Sequence, residues 1–416
     1  MFSKALIAAS LASQVTAWPF VAESVGMDPE LMKRNDRLVE RVPGDAASCP
    51  FNPNHTPAVP ISDKYPYCGA KDGVPGKQVC DNNLVPANGD TAHYFVAPGK
   101  NDIRGPCPGI NTAANHNFIA HDGITTFNEL IDMQQNVYGV GYDLAVLLAV
   151  FGVGLDGDPI TTKVSIGCDA TTRTASPGLG PELGLDGHNK FEGDTSLTRN
   201  DYFTGGGDNF KFNSTLYAGM IAQCTQRNAG CDFGNIARYR KQRYDWSVAH
   251  NGNFYFGPKS VLLYGAASFL YELFPSLGDQ GKPDLVTMDY FFRQEKLPPN
   301  WYSRVQPYTI PLVAAEIFKQ YEAYPVAFGG NTGNPNTFYG IGQYGPSITN
   351  NTLQSTPQGV ACLLYQIATE DAPASLGGGS TTPLANLQWA ASKLNPIFGA
   401  GGSLASFGCP LNFNSA

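Results

Sequence analysis

The sequence predicts a mostly α-helical fold: one helical domain, preceded by a loop-rich N-terminal arm and followed by a C-terminal helical extension. Three observations predict it. Apolar residues recur at helical spacing over 108–117, 126–137, 141–152, 215–224, 259–273, 285–294, 308–321, 354–369 and 383–393. Strand signals are short and few. Residues 18–90 hold ten prolines and three cysteines with little periodicity. At 416 residues the chain can bury a large core, and nothing in it forces a division into two or three domains. A formal charge of −8 argues against nucleic acid and anionic membrane surfaces as partners, without choosing a substrate.

Residues 1–17 read as a secretory signal. Lys4 supplies the positive start, Ala5 to Ala12 the apolar stretch, and Val15-Thr16-Ala17 a small-residue cleavage site before Trp18. Residues 18–45 read as a pro-segment. Lys33-Arg34 is its dibasic processing site, unless the stretch is an exposed linker with a chance basic pair. Residues 46–91 form the disulfide-braced arm, 92–325 the helical domain, and 326–416 an extension packed on it. The only other long apolar run, Leu144 to Leu155, is too short to span a bilayer and fits a buried core helix. The glycine-rich stretch 371–383 lacks a Lys-Ser/Thr ending, so it reads as a loop rather than a phosphate cradle. Glycosylation sequons stand at Asn54, Asn213 and Asn350, and Asn213 is the expected acceptor.

The chemistry-bearing element is Arg104-Gly105-Pro106-Cys107-Pro108-Gly109-Ile110, continuing to His116. Pro106 favours an extended Gly105, and Pro108 suits a first helical turn, where its missing N–H costs nothing. Ile110, Ala113 and Ala114 then form an apolar stripe. Cys107 is therefore expected at the N-cap, its sulfur facing the N–H groups of Gly109 and Ile110, which favour thiolate over thiol. A thiolate there can be a nucleophile, a disulfide partner or a metal ligand.

Pro106-Cys107-Pro108-Gly109-Ile110-Asn111-Thr112-Ala113-Ala114-Asn115-His116, with Ile119-Ala120-His121-Asp122-Gly123 after it, resembles the proximal helix of the fungal haem-thiolate peroxidases, the chloroperoxidase and unspecific peroxygenase family. The resemblance continues through Phe127 to Asp132, Gly141 to Phe151, Leu155 to Thr161 and His188 to Arg199, and covers roughly 92–325. It implies that Cys107 is the axial ligand of haem b. Glu192-Gly193-Asp194-Thr195-Ser196 is similar to the Glu-Gly-Asp-x-Ser signature of the long peroxygenases. By that resemblance the Glu192 side chain, the Gly193 carbonyl and the Ser196 hydroxyl bind Mg²⁺ or a similar divalent cation beside a haem propionate, and an all-oxygen set suits a hard cation. Phe191, Tyr202 and Phe203 are candidates to line an apolar distal pocket.

One departure stands out. Family members carry a distal arginine and an acid–base glutamate, and the corresponding segment here, Asn251 to Ala266, has Lys259 and Ala266 in their places. Alanine cannot shuttle a proton, and a positioned base contributes on the order of 10²–10⁴-fold to a rate. The catalytic acid–base residue is thus unassigned. Glu272 should face elsewhere on its helix, His250 is expected in a loop, and Asp194 is expected to support the cation.

The resemblance implies a secreted glycoprotein that uses hydrogen peroxide to oxidise or oxygenate a small apolar or aromatic substrate. The alternatives are a specialised oxidase of fungal secondary metabolism, or a haem-binding relative without peroxidase turnover. A thiol enzyme would need a histidine beside Cys107, and His116 and His121 are near it only in sequence. If Cys107 holds iron, the other eight of the nine cysteines can form four disulfides, with Cys224 and Cys231 close enough for a local bridge.

Overall fold

A computed structural model describes residues 49–50, 52–81, 83–169, 184–225, 231–278, 283–370 and 384–413. The expected signal peptide, the pro-segment and the 371–383 loop lie outside the described residues. Ten helices carry the described chain: α1 Pro108–Asn115, α2 Phe127–Tyr138, α3 Tyr142–Phe151, α4 Ser214–Thr225, α5 Phe233–His250, α6 Leu262–Glu272, α7 Leu285–Asp289, α8 Ile310–Ala323, α9 Pro357–Thr369 and α10 Leu384–Phe398. Seven strands of two or three residues make three small sheets. The mostly α reading holds.

Local chemistry explains the helix ends. Thr126 accepts from Glu129 N while the Glu129 carboxylate accepts from Thr126 N, a reciprocal cap that starts α2. Gly139, left-handed at φ 65°, ends it. Strands β1 (Ile124–Thr126) and β2 (Lys163–Ser165) pair antiparallel in front of that cap. From Leu144 to Phe151 every residue of α3 but Leu148 is buried, and α3 runs into a wider π-helical turn, Gly152–Asp156. This is the core helix expected of the long apolar run. Helices α2, α3, α6, α8 and α9 pack around one continuous apolar core.

The longest helix, α5, is absent from the nine expected stretches. Its buried face mixes Ile236, Ala237, Tyr239 and Tyr244 with Asn235, Arg240, Arg243 and Ser247, so the apolar stripe that would mark it in the sequence is interrupted. His250 is therefore the last residue of a helix rather than part of a loop.

The N-terminal arm has little regular structure and is held by disulfides. Cys68 bonds Cys80, and Cys49 bonds Cys168 across 119 residues. Cys224 bonds Cys231, and Cys362 in α9 bonds Cys409 near the C-terminus. Only Cys107 is left as a thiol. Beyond residue 325, Gly329–Asn331 (β4) pairs both with Tyr255–Phe256 (β3) and with Phe338–Gly340 (β5), while α10 packs against α3. Asn54 and Asn350 are exposed, but the Asn213 side chain is engaged. Its Nδ2 donates to Asn200 Oδ1 at 2.7 Å and its Oδ1 accepts from Thr215 N, at the start of α4.

Candidate active site

Cys107 stands at the N-cap of α1 in extended conformation, with Pro108 at the first helical position. Its approach is fixed from both sides. Gly105 passes so close to Ile166 that a Cβ would lie 1.7 Å from the Ile166 carbonyl oxygen, so only glycine fits. Asn111 clamps the same residue: Gly105 N donates to Asn111 Oδ1 at 3.0 Å, and Asn111 Nδ2 donates to Gly105 O at 2.8 Å.

The electrostatics at the sulfur are a contest. Burial raises the thiol pKa, and the N–H groups of Ile110 and Gly109, then Arg199, pull it down. No N–H closes a full cap hydrogen bond on Sγ. Burial wins, so the net direction is up, and the cap favours the thiolate less than the sequence suggests. Cys107 nevertheless keeps some accessible surface.

Glu295 is the unforeseen neighbour. It sits in the left-handed region at φ 47°, directly after a π-helical turn at Tyr290–Gln294. Its Oε1 accepts from Asn111 Nδ2 at 2.7 Å, and its carbonyl accepts from Asn115 Nδ2 at 2.9 Å. Arg199, 1% exposed, lies 3.9 Å from the same carboxylate. These bonds oppose the strain of a non-glycine residue at positive φ. Nothing local in the sequence marks Glu295. Arg199 stands within the matched block, and as a charged residue among buried neighbours it could have been found there.

The Glu192–Ser196 turn is braced by buried side chains. Thr195 adopts φ 71°, costly for a β-branched residue, and is held by Asp201 Oδ1 on its N–H at 3.0 Å and by Arg240 Nη2 on its hydroxyl at 2.8 Å. Arg243 Nε donates to Ser196 O at 2.9 Å and Nη2 to Asp201 Oδ1 at 3.1 Å. Both arginines come from α5, the helix the periodicity misses.

Glu192 Oε2 bonds His188 Nδ1 at 2.9 Å, but its Oε1 is buried without a hydrogen bond. So are Asp194 Oδ1, Asp186 Oδ1, both oxygens of Asp156, His188 Nε2 and Arg199 Nε. Burial pushes the Asp156, Asp186 and Asp194 carboxyls well above the usual range. At His188 burial opposes the charged form, but Glu192 and Asp194 outweigh it and hold the pKa above its ordinary value. His188 Nε2 and Asp194 Oδ1 face each other as an ion pair at 4.0 Å, and the other buried groups without a hydrogen bond ask for a ligand. The chemistry is mixed: a guanidinium N–H wants an anion, and clustered carboxylate oxygens want a cation. A haem carboxylate with a divalent cation beside it fits both demands. Among the described residues no three His, Cys, Asp or Glu side chains converge to hold a metal ion. The expected set needs only one carboxylate, with a carbonyl and a hydroxyl.

Helix α6 lies beside that turn. A Cβ on Gly193 would meet Leu263 Cδ1 at 3.6 Å, so the acidic turn borders this helix. Leu263, Ala266 and Phe269 share one face, and Ala266 is exposed. Lys259, half-buried, acts on Asp156, as Lys190 does more strongly.

The remaining expected players fall elsewhere. Glu272 pairs with Arg304. His250 is exposed, with Nδ1 bonded to Trp246 O. Asp194 Oδ2 accepts from Tyr255 N at 3.0 Å and fixes the start of the distal segment. Tyr202 stacks on His188 at 4.7 Å with Phe203 edge-on to the same ring, so this pair packs around the acidic turn, whereas Phe191 stacks on Phe151. His116 is committed to His93 O and Leu297 N, and burial pulls its pKa down to about 4. His121 bonds Ala114 O. Neither serves as a base for Cys107, so the thiol-enzyme reading loses its partner.

Comparison with known proteins gives a consistent picture. Residues 93–306 match the family model described as Peroxidase, family 2. A dothistromin biosynthesis peroxidase of Dothistroma septosporum is 30% identical over 280 residues, covering 62% of this chain and 67% of its own. An aromatic peroxygenase of Cyclocybe aegerita is 32% identical over 294 residues, covering 69% and 74%. An aromatic peroxygenase of Coprinellus radians is 31% identical over 223 residues, covering 52% and 84%.

Proposed function

The chain belongs to the family-2 peroxidases, haem-thiolate oxidoreductases, and from that premise we propose that Cys107 ligates the haem iron in a cavity walled by α1, the Glu192–Ser196 turn and α6. The observation that carries this reading is the pairing of eight cysteines in four disulfides, which leaves Cys107 alone as a thiol at a helix N-cap. When bound, the haem supplies the oxidising chemistry of hydrogen peroxide, and a thiolate ligand favours O–O cleavage. The chain supplies orientation: Asn111 and Asn115 hold the thiolate helix against Glu295. Glu192, the Gly193 carbonyl and the Ser196 hydroxyl hold a divalent cation, most suitably Mg²⁺, and Arg199 offers its unpaired N–H to a haem carboxylate. Leu263, Ala266 and Phe269 give the substrate an apolar face that excludes water.

Residues 92–325 form the haem-binding unit, residues 46–91 a braced arm and residues 326–416 a wrap over it. Four disulfides and the N-terminal signal support passage through the secretory pathway. Among the described residues no helix is long and apolar enough to cross a membrane.

The test is the visible spectrum of the reduced protein under carbon monoxide, with Cys107→Ala beside it. A red-shifted Soret band that disappears in the variant supports the reading, and a haem-loaded variant with an unchanged band overturns it. A second reading, an oxidase dedicated to secondary metabolism, is favoured by Ala266 together with the likeness to a dothistromin biosynthesis peroxidase. A substrate with its own proton relay needs no base at residue 266. Ala266→Glu should raise peroxide turnover of a plain apolar substrate by about 10²-fold. No change means that another group already moves the proton.

A further inference from the structure

A groove of about 610 Å³ opens on the surface between α4 and α7, and Cys107 is not among the residues that line it. Ala218, Ile221, Leu285 and Val286 line it, and Leu285 and Val286 leave 39% and 65% of their surface exposed. Exposed apolar side chains around a concave surface mark a binding site for an apolar ring. Tyr217, Asp289 and Arg293 also line it.

Tyr217 is wired inward. Its ring lies 5.5 Å from Phe292, and Phe292 lies 6.0 Å from Phe274. Phe274 packs on the thiolate helix: a Cβ on Gly109, two residues from Cys107, would stand 3.5 Å from Phe274 Cε1. A parallel branch runs from Phe274 through Phe291, stacked at 4.0 Å, to Tyr138, whose hydroxyl donates to Gly109 O at 2.7 Å. Two phenylalanine rings thus separate the Cys107 helix from Tyr217, which is 2% exposed and forms part of the groove's floor.

The phenol is also prepared to lose its proton. Tyr217 OH donates to Asp289 Oδ1 at 2.9 Å. The Arg293 guanidinium sits 4.9 Å over the Tyr217 ring and donates to the same Asp289 oxygen at 2.9 Å. A cation over the ring opposes positive charge on it, so an electron can leave only if the proton leaves too. Asp289, about half exposed, is the acceptor in place.

We propose that this groove is a second oxidation site, at which Tyr217 relays single electrons from a bound phenol to the buried centre. The proposal rests on the haem reading above. Tyr217 passes an electron inward along the rings and its proton to Asp289. The phenol in the groove then gives Tyr217 an electron, Asp289 returns the proton, and the phenol's own proton goes to solvent. Two phenols lose one O–H hydrogen each, one peroxide O–O bond breaks, and two waters form: H₂O₂ + 2 ArOH → 2 H₂O + 2 ArO•. Phenols that dock from solvent at the groove are the class of substrate this site takes.

The experiment uses the haem-loaded full chain, freeze-quenched after peroxide, and reads tyrosyl radical by electron paramagnetic resonance in wild type, Tyr217→Phe and Phe292→Leu. Alongside it, oxidation of a phenol coupled to dextran, which cannot enter a buried cavity, is read as a ratio to oxidation of a small apolar substrate. We expect the radical signal to fall at least fivefold in both variants. The dextran-phenol ratio should fall about tenfold in Tyr217→Phe and in Ala218→Trp, which fills the groove. An undiminished radical in Tyr217→Phe, or an undiminished ratio in Ala218→Trp, overturns the proposal. If the wild type instead oxidises the small substrate and gives no radical, the relay is wrong and the haem reading stands. If it oxidises neither substrate, both fall.

Discussion

Two clusters of buried carboxylates lie in this molecule, and they differ in how each is closed. At the end of α6, Glu272 is paired with Arg304, and Tyr308 donates to Glu316 Oε2 at 2.5 Å. No carboxylate oxygen of that pair is left buried and unpartnered. Around the Glu192 turn, oxygens of Asp156, Asp186, Glu192 and Asp194 are all buried without a hydrogen bond. The first cluster has a hydrogen-bond or ion-pair partner for each carboxylate, and the second keeps buried oxygens that accept no hydrogen bond. A perturbed carboxyl by itself does not mark a site, since both clusters have one. Orphaned oxygens do distinguish them. The family's acid–base role could have been sought at Glu272, but a carboxylate tied to an arginine has no capacity left for it.

The largest effect should come from opening the closed cluster. Arg304→Ala leaves Glu272 without its cation and removes the donor to the Glu272 and Gln306 carbonyls. Breaking one partner of a buried pair costs about 3–5 kcal/mol. Denaturant unfolding checks this. A loss under 1 kcal/mol would mean that water already reaches Glu272 and that the contrast between the clusters is one of degree.

The contrast also sorts what the sequence could show. The helix that begins at Cys107 was legible because its determinants are local: prolines on both sides of Cys107, a glycine, and an apolar stripe within one turn. Ala266 and Lys259 were legible only through the family pattern, and the open face of α6 around Ala266 gives that pattern a physical counterpart. Helix α5 was not legible, because Arg240 and Arg243 are buried to grip the Glu192–Ser196 turn and interrupt the apolar period of Ile236, Tyr239 and Tyr244. Nor was Glu295, whose place depends on asparagines 184 and 180 residues away. Disulfide connectivity was hidden for the same reason, since only the fold brings Cys49 to Cys168.

Closing the open cluster should matter next. If Glu192 Oε1 is a cation ligand, Glu192→Gln weakens Mg²⁺ binding about 100-fold, as removal of a carboxylate from a hard-cation site does. Isothermal titration of the haem-loaded protein measures it. The sharper reading is the sign without cation. In chelator-treated protein the same change removes an incompletely paired buried charge, while a glutamine oxygen still accepts from His188. Stability should then rise by ~1 kcal/mol, where the arginine deletion at the closed cluster lowers it. A fall in both would erase the distinction between the two clusters.

The last effect is a pH dependence at the closed cluster. Burial, reinforced by a hydrogen bond with Glu272, pushes the Glu316 carboxyl up from 4.5 to about 8, against the pull of Tyr308 and Ser268. A carboxyl raised on folding holds its proton more tightly in the native state. Its contribution is therefore full below pH 4.5 and is lost as the pH climbs through about 8. Glutamine at this position mimics the protonated form and can still donate to Glu272. Across that window the wild type should lose about 2 kcal/mol relative to Glu316→Gln, allowing for solvent screening of a half-buried group. Paired unfolding curves at pH 4.5, 6 and 8.5 test it, and the difference between the two proteins cancels the titration of every other carboxylate. A difference that stays flat would place the proton elsewhere in the cluster, and one that grows as the pH falls would show that Glu316 is ionised in the folded protein.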